Sequence, residues 1–325
     1  MVGKVKKKKS KVRILVSFLL IAVIASFTYK SIISLERQYL LEKNSGSRTM
    51  PVPSLKKTPD YAAHISLESL NSPHAILIRL KDHAVLMQKN SAGKIYPASL
   101  TKMMTAIVAI ENLPDMHQRI KLPKSIFQKL YKADAAMAGF QPDEEVMAID
   151  LAYGALLPSG AECCIGLSRQ IAGSEKNFVN MMNQKASYLG MNNTHFENAT
   201  GLHDKNHYTT VKDMSILLSY ALQNDTFREI FTSSRYTVHP TNKHPDGITF
   251  YSTMFKELKY RGITGGKILG GKTGYTDEAG LCLASFAEEG KQEYILVTAG
   301  AKGDNKSEQY NITDALSVYN SLGEK

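Results

Sequence analysis

The sequence predicts an α+β fold: an antiparallel sheet built from both ends of the chain, flanked by helices, with an all-α subdomain inserted between its strands. Three observations lead there. "HAILIRL" (74–80) and "AVLMQKN" (84–90), separated by Lys81-Asp82-His83, read as the two strands of a hairpin. "GLCLASFAEE" (280–289) and "QEYILVTAGA" (292–301) flank Gly290-Lys291 and read as a second hairpin. Between them, from roughly 99 to 230, apolar residues recur at helical spacing, as in "GLSRQIAGSEKNFVNMMNQKASYLG" and "TVKDMSILLSYALQND". Strands at both ends with helices between do not suit a doubly wound parallel sheet. "SEQYNITDALSVYNSL" (307–322) reads as a closing helix.

The chain of 325 residues is 43% hydrophobic and 22% charged, enough for a substantial core. Its formal charge of +10 is concentrated at one end. Lys4, Lys6, Lys7, Lys8, Lys9, Lys11 and Arg13 precede the uncharged run "ILVSFLLIAVIASFTY", and without those seven the balance is 33 basic residues against 30 acidic. A local lysine block beside an apolar run points to a membrane and away from nucleic acid. Residues 1–13 are expected to be a cytoplasmic basic tail, 14–33 a single-pass anchor, and 34–61 a linker. A folded domain over 62–325 is then expected outside the cell. A cleaved signal peptide shares the basic and apolar regions and stays open as the alternative. The linker expectation rests on "KNSGSRTMPVPSLKKTPD" (43–60), which has no sustained periodicity. The three cysteines, Cys163, Cys164 and Cys282, write no disulfide framework or C-x-x-C metal pattern and are expected to be buried apolar residues.

"YPASLTKMMT" sets Ser99 three residues before Lys102, at the head of an apolar run whose Met103, Ala106, Ile107 and Ile110 follow helical spacing. Residues three apart share a helix face, so the hydroxyl and the amine can touch. A desolvated lysine tends to lose its proton, and a neutral amine beside a serine hydroxyl is a general base beside a nucleophile. "LLPSGAE" places Ser159 after an apolar run and before a helix. "GGKTGYT" places Lys272, Thr273 and Gly274 just before the strand expected at Leu281.

S-x-x-K, then an S-G-x element, then K-T-G, in that order, resembles the motif set of penicillin-binding proteins and class A β-lactamases. The flanking residues of all three stretches, and "FENATGLHDKNHYTTVKDM" (196–214), are similar to the low-molecular-mass D-alanyl-D-alanine carboxypeptidases over about residues 65–310. The resemblance implies a penicillin-binding, serine β-lactamase-like fold and a serine acyl-enzyme hydrolase needing no metal or cofactor. Its substrate would be a peptidoglycan stem peptide ending in D-Ala-D-Ala, and β-lactams would be covalent inhibitors. Ser99 would attack the D-Ala-D-Ala amide, Lys102 take its proton, and Ser159 help protonate the departing D-alanine. Lys272 and Thr273, with Gly274 beside them, would hold the terminal carboxylate. Backbone N–H groups of Ser99 and Tyr275 would form the oxyanion hole. Such enzymes trim precursors for wall maturation, and some membrane-anchored ones support glycopeptide resistance; the motifs suit both.

Two departures stand out. The position two after the second serine, usually Asn, is Ala161, and the chain ends about 50 residues after Gly274 without the β-rich domain familiar relatives carry. Ala161 keeps open a catalytically weak β-lactam-binding sensor. A β-lactamase is the other alternative, although "FENATGL" lacks the E-x-x-L-N spacing of a deacylating glutamate. His203 and His207 have the spacing of a metallopeptidase pair, but "GLHDKNHYTT" reads as a loop where that motif needs a helix.

Overall fold

The structure is a computed structural model that describes residues 50–57, 67–258 and 260–323. The expected basic tail and membrane anchor, and the linker up to residue 49, lie outside the described residues. Among the described residues no helix is long and apolar enough to cross a membrane.

The chain opens with strands β1 (Lys56–Lys57), β2 (His74–Arg79) and β3 (Ala84–Lys89). The middle follows with α1 (Thr101–Asn112), β4 (Arg119–Leu122), α2 (Lys124–Lys132), β5 (Glu144–Met147), α3 (Ala148–Leu156), α4 (Ala161–Ala172) and α5 (Glu175–Tyr188). It continues through α6 (Val211–Ala221), α7 (Asp225–Thr232), β6 (Arg235–Thr237), β7 (Thr249–Tyr251) and α8 (Thr253–Glu257). Strands β8 (Gly262–Ile263), β9 (Gly266–Gly274), β10 (Leu281–Glu289) and β11 (Gln292–Ala301) precede the closing helix α9 (Tyr310–Leu322).

Both expected hairpins form, and β2 pairs antiparallel with β11, joining the two ends of the chain in one sheet of order β1-β3-β2-β11-β10-β9-β8. Successive strand residues point to opposite faces, and both faces are covered. Ile76, Ile78, Val297 and Phe286 pack against the helices of the middle, whereas Ala75, Leu77, Leu283 and Leu296 pack with Val318 and Tyr319 of α9. α1 runs through the helical lobe with Met103, Met104, Ala106 and Ile107 fully buried, so its polar first turn meets protein and little water.

Two expectations are corrected and one is extended. Within the stretch read as linker, Lys56–Lys57 forms β1, parallel to β3, and the Lys56 amide donates to the His83 carbonyl at 2.9 Å. The all-α subdomain is not purely helical, since β4 pairs with β5 and β6 with β7. K-T-G precedes the strand at Leu281, as expected, but it ends a strand of its own, β9, which was not foreseen. Glycines hid that strand, because they lower strand propensity. One of them is required by close packing: a Cβ on Gly270 would lie 2.4 Å from the Phe231 carbonyl oxygen.

The Asp314 carboxylate, 1% exposed on α9, ties the closing helix to the segment before β2. It accepts from the Asn71 amide (2.9 Å), Asn71 Nδ2 (3.0 Å) and the Ser72 amide (2.8 Å). Asp314→Ala strands the buried Ser72 amide and should cost on the order of 2 kcal/mol in urea denaturation. Asp314→Asn, keeping one acceptor, should recover part of that loss; equal stability of wild type and Asp314→Ala would show that the tie is idle.

Candidate active site

Ala98–Leu100 form a single 3-10 turn that runs into α1. Ser99 sits on that turn and Lys102 on the first turn of α1, with Lys102 Nζ 2.9 Å from Ser99 Oγ. Lys102 is 3% exposed. Its Nζ also donates to the Thr200 carbonyl at 2.6 Å. An amine held by one acceptor can turn its remaining positions, and when neutral its lone pair, toward the serine.

The Thr200 carbonyl is placed by a loop clamped onto α1. Asn198 Oδ1 accepts from the Thr200 amide (3.1 Å), Thr200 Oγ1 (3.0 Å) and the Gly201 amide (2.7 Å). Gly201 has φ +82°, and a Cβ there would lie 1.9 Å from the Ala98 carbonyl oxygen. Glycine is therefore required where the loop passes beneath the Ser99 turn. Thr105 Oγ1 donates to the Ala199 carbonyl at 2.7 Å. The Glu197 amide donates to His207 Nδ1 (3.2 Å), so the neutral ring carries its proton on Nε2 and donates to Thr101 Oγ1 (2.8 Å). Nδ1 of His207 thus closes the loop on itself, and Nε2 binds it to the helix. His203 lies edge-on to Tyr96, its Nδ1 3.5 Å from a Glu278 carboxylate oxygen.

Ser159 follows the end of α3 in the left-handed region, φ +68°, a strained backbone for a residue with a Cβ. Lys272, fully buried on β9, donates to Ser159 Oγ at 3.0 Å and to the Thr273 carbonyl at 2.8 Å. Thr273 Oγ1 is 2.6 Å from Thr253 Oγ1 of α8. A Cβ on Gly274 would lie 3.0 Å from the Ser99 amide nitrogen, so the end of β9 runs against the Ser99 turn and Tyr275 comes next. The Tyr275 hydroxyl donates to Asp277 Oδ1 at 2.7 Å. All seven residues singled out in the sequence therefore lie on this turn, at the start of α1 or α4, or at the end of β9.

Burial holds the Lys102 amine below the ordinary lysine value, with Cys164 and Glu162 acting in the opposite sense. Burial depresses Lys272 further, and the neighbouring Lys102 adds to the shift. Burial and the neighbouring positive charge both favour loss of a proton from this pair of amines. Glu162 is fully buried; its Oε1 accepts from the Ala138 and Gly139 amides (2.8 and 3.0 Å), and burial raises its pKa. Ala161, 1% exposed, brings no polar side chain to Lys102. All three cysteines are buried thiols, as expected.

Sequence reasoning missed Thr200, Asn198 and Thr253. Asn198 and Gly201 stand in a turn-forming stretch, which was the available signal; Thr253 stands in no motif.

Burial lowers His207 to about 4. Between about 4 and the ordinary value of 6.5 the unfolded chain binds a proton that the folded protein refuses, so stability rises with pH across that window. Acidification from pH 7.5 to 4.5 should therefore cost wild type on the order of 3 kcal/mol more than His207→Gln in urea denaturation. Equal acid sensitivity of the two would show that His207 is protonated in the folded state.

A family model for D-alanyl-D-alanine carboxypeptidases matches residues 61–303. The chain is 33% identical over 234 residues to the D-alanyl-D-alanine carboxypeptidase DacF of Bacillus subtilis, covering 70% of this chain and 57% of that protein. To the D-alanyl-D-alanine carboxypeptidase DacC of Escherichia coli it is 31% identical over 265 residues, covering 77% and 63%. The chain thus spans about six-tenths of the length of these curated relatives. The crystal structure of a Streptomyces DD-transpeptidase shares its fold, with a TM-score of 0.70, 24% identity, and coverage of 79% of this chain and 98% of that one. The family match extends over three quarters of the sequence and contains all three motif stretches, and the chain belongs to the D-alanyl-D-alanine carboxypeptidase family of serine peptidases.

Proposed function

We propose that this protein is a serine D-alanyl-D-alanine carboxypeptidase that removes the terminal D-alanine from peptidoglycan stem peptides or their precursors. The observation that carries the reading is the desolvated Lys102 amine 2.9 Å from Ser99 Oγ.

In the proposed reaction Ser99 Oγ attacks the carbonyl carbon of the penultimate D-alanine, and its proton passes to Lys102 Nζ. Backbone N–H groups of Ser99 and Tyr275 receive the oxyanion. Collapse breaks the amide bond; the departing D-alanine amine takes a proton relayed through Ser159, and an ester remains on Ser99. Water, deprotonated by Lys102, then cleaves the ester and restores the serine. The substrate's terminal carboxylate has a second effect beside Lys272 and Thr273. A carboxylate there favours the Lys272 ammonium, and that positive charge disfavours a proton on Lys102. Substrate binding would thus push the neutral amine to the residue that needs it.

The proposed location is the outer face of the cell membrane, with the N-terminus cytoplasmic. Its support is the lysine block before the uncharged apolar run at 14–29. Wall maturation is the proposed role, and removal of D-Ala-D-Ala termini in glycopeptide resistance would use the same chemistry.

Incubation with penicillin and peptide mapping by mass spectrometry should find a covalent adduct on Ser99, absent in Ser99→Ala. Lys102→Arg keeps the charge but does not deprotonate, so its acylation should fall at least about a hundredfold, within the range general-base catalysis supplies. An adduct elsewhere, or a Lys102→Arg rate within about tenfold of wild type, contradicts the roles of nucleophile and base.

Ala161→Asn restores an acceptor to the Lys102 ammonium and a donor to substrate. The acceptor should move the acidic limb of the acylation profile to higher pH, because the amine then holds its proton longer. Above that limb the substrate contact should raise the rate several-fold, corresponding to about 1 kcal/mol. Stopped-flow acylation across pH 6 to 9 reads both effects. A folded but inactive Ala161→Asn protein would show that the site is built around the smaller residue.

A further inference from the structure

Ser159 has a backbone that a residue with a Cβ keeps only when its surroundings force it: φ is +68°. Relaxation to the ordinary negative region would swing the Cα–Cβ bond and carry the hydroxyl away from Lys272. The residues that follow are held from two sides. The Gly160 amide donates to the Gly154 carbonyl of α3, and the Ala161 amide to the Ala136 carbonyl, each at 2.8 Å. A Cβ on Gly160 would lie 2.6 Å from the Ala138 Cβ. The Ser159 turn is therefore pressed against residues 136–139, which lie between α2 and β5 and form no helix or strand.

A segment without regular structure needs other ties, and Glu162 supplies them. This side chain is fully buried on the first turn of α4, and its Oε1 accepts from the Ala138 amide at 2.8 Å and the Gly139 amide at 3.0 Å. Gly139 itself is exposed, with φ +110°. Two consecutive amides thus fasten a surface segment to a carboxyl group in the core. Together with the Ala136 carbonyl, they end on Ala161 and Glu162, the two residues directly after Ser159 and Gly160. Oε2 is buried and has no hydrogen-bond partner among the described residues. Burying a carboxyl group with one oxygen unpaired is costly, and such groups call for an explanation beyond closing a loop.

We propose that Glu162 is a positioning residue, which clamps residues 136–139 onto the start of α4 and so fixes the strained backbone that aims the Ser159 hydroxyl. The proposal rests on the reading of Ser159 as the proton relay to the departing amine. Ala161 brings no polar side chain to this turn, so the aim of Ser159 depends on the backbone contacts that Glu162 secures.

Stopped-flow acylation by penicillin separates noncovalent binding from the acylation step. Glu162→Met fills a similar volume without accepting hydrogen bonds, and should slow the acylation step at least about tenfold while noncovalent binding changes less than about twofold. Glu162→Gln keeps the accepting oxygen and should recover most of that loss. In a Ser159→Ala background, Glu162→Met should cost less than about twofold more, because the group it positions is already gone. Gly139→Ala strains the same segment from its exposed side and should show the same dependence on Ser159, so the cycle can be read even if Glu162→Met does not fold. A wild-type acylation rate in Glu162→Met, or in Gly139→Ala where Glu162→Met does not fold, would overturn the proposal. Losses of equal factor with and without Ser159 would also overturn it, since Glu162 then acts on the fold at large. Ser159→Ala acylating at the wild-type rate would instead contradict the relay itself, and the proposal with it.

Discussion

Two lysine side chains removed from water are the constraint on which this site depends. An ammonium loses much of its hydration when buried, and the protein must either supply acceptors or let the proton go. Lys102 receives Ser99 Oγ and the Thr200 carbonyl; Lys272 receives Ser159 Oγ and the Thr273 carbonyl. Each amine thus has a serine and a backbone oxygen. The arrangement is sparse enough to keep both pKa values low and specific enough to aim each nitrogen at a hydroxyl. Folding bears the cost. Each lysine binds fewer protons folded than unfolded below its ordinary value, so the pair makes the protein less stable at neutral pH than neutral side chains of the same shape would.

The rest of the fold makes that burial possible. α1 is apolar on nearly every side, which places its first turn inside the protein. β9 is held between β10 and β8 and brings Lys272 to Ser159 across 113 residues of sequence. The loop from Glu197 to His207 closes over α1 through four side chains, Asn198, Thr101, Thr105 and His207, and ends the Lys102 amine on a carbonyl. The left-handed backbone at Ser159 and the glycine at 201 are local concessions to these approaches.

How much of this was legible in the sequence follows from the range of each interaction. Ser99 and Lys102 are three residues apart, so helical geometry alone brings them together. The outer hairpins announce themselves because β2, β3, β10 and β11 are continuous apolar runs bounded by turn residues. Ser159 and Lys272 were found through the order of their motifs, while their mutual contact is tertiary. The Lys102–Thr200 bond spans 98 residues and uses a backbone oxygen, which has no sequence signature. Thr253 meets Thr273 only because α8 packs on β9. β9 itself was obscured by the glycines that its close packing requires, and β4, β5, β6 and β7 are too short for a period of two to show.

The most direct measurement is of the lysine protons themselves. In protein carrying isotope-labelled lysine, NMR titration with Lys102→Arg and Lys272→Arg for assignment should reveal two amines titrating below the ordinary lysine range. A non-hydrolysable ligand ending in a D-alanine carboxylate should then raise the Lys272 value and lower that of Lys102. If both side chains titrate near about 10.5 as solvated lysines do, with or without the ligand, Lys102 is an ammonium at neutral pH and cannot be the base.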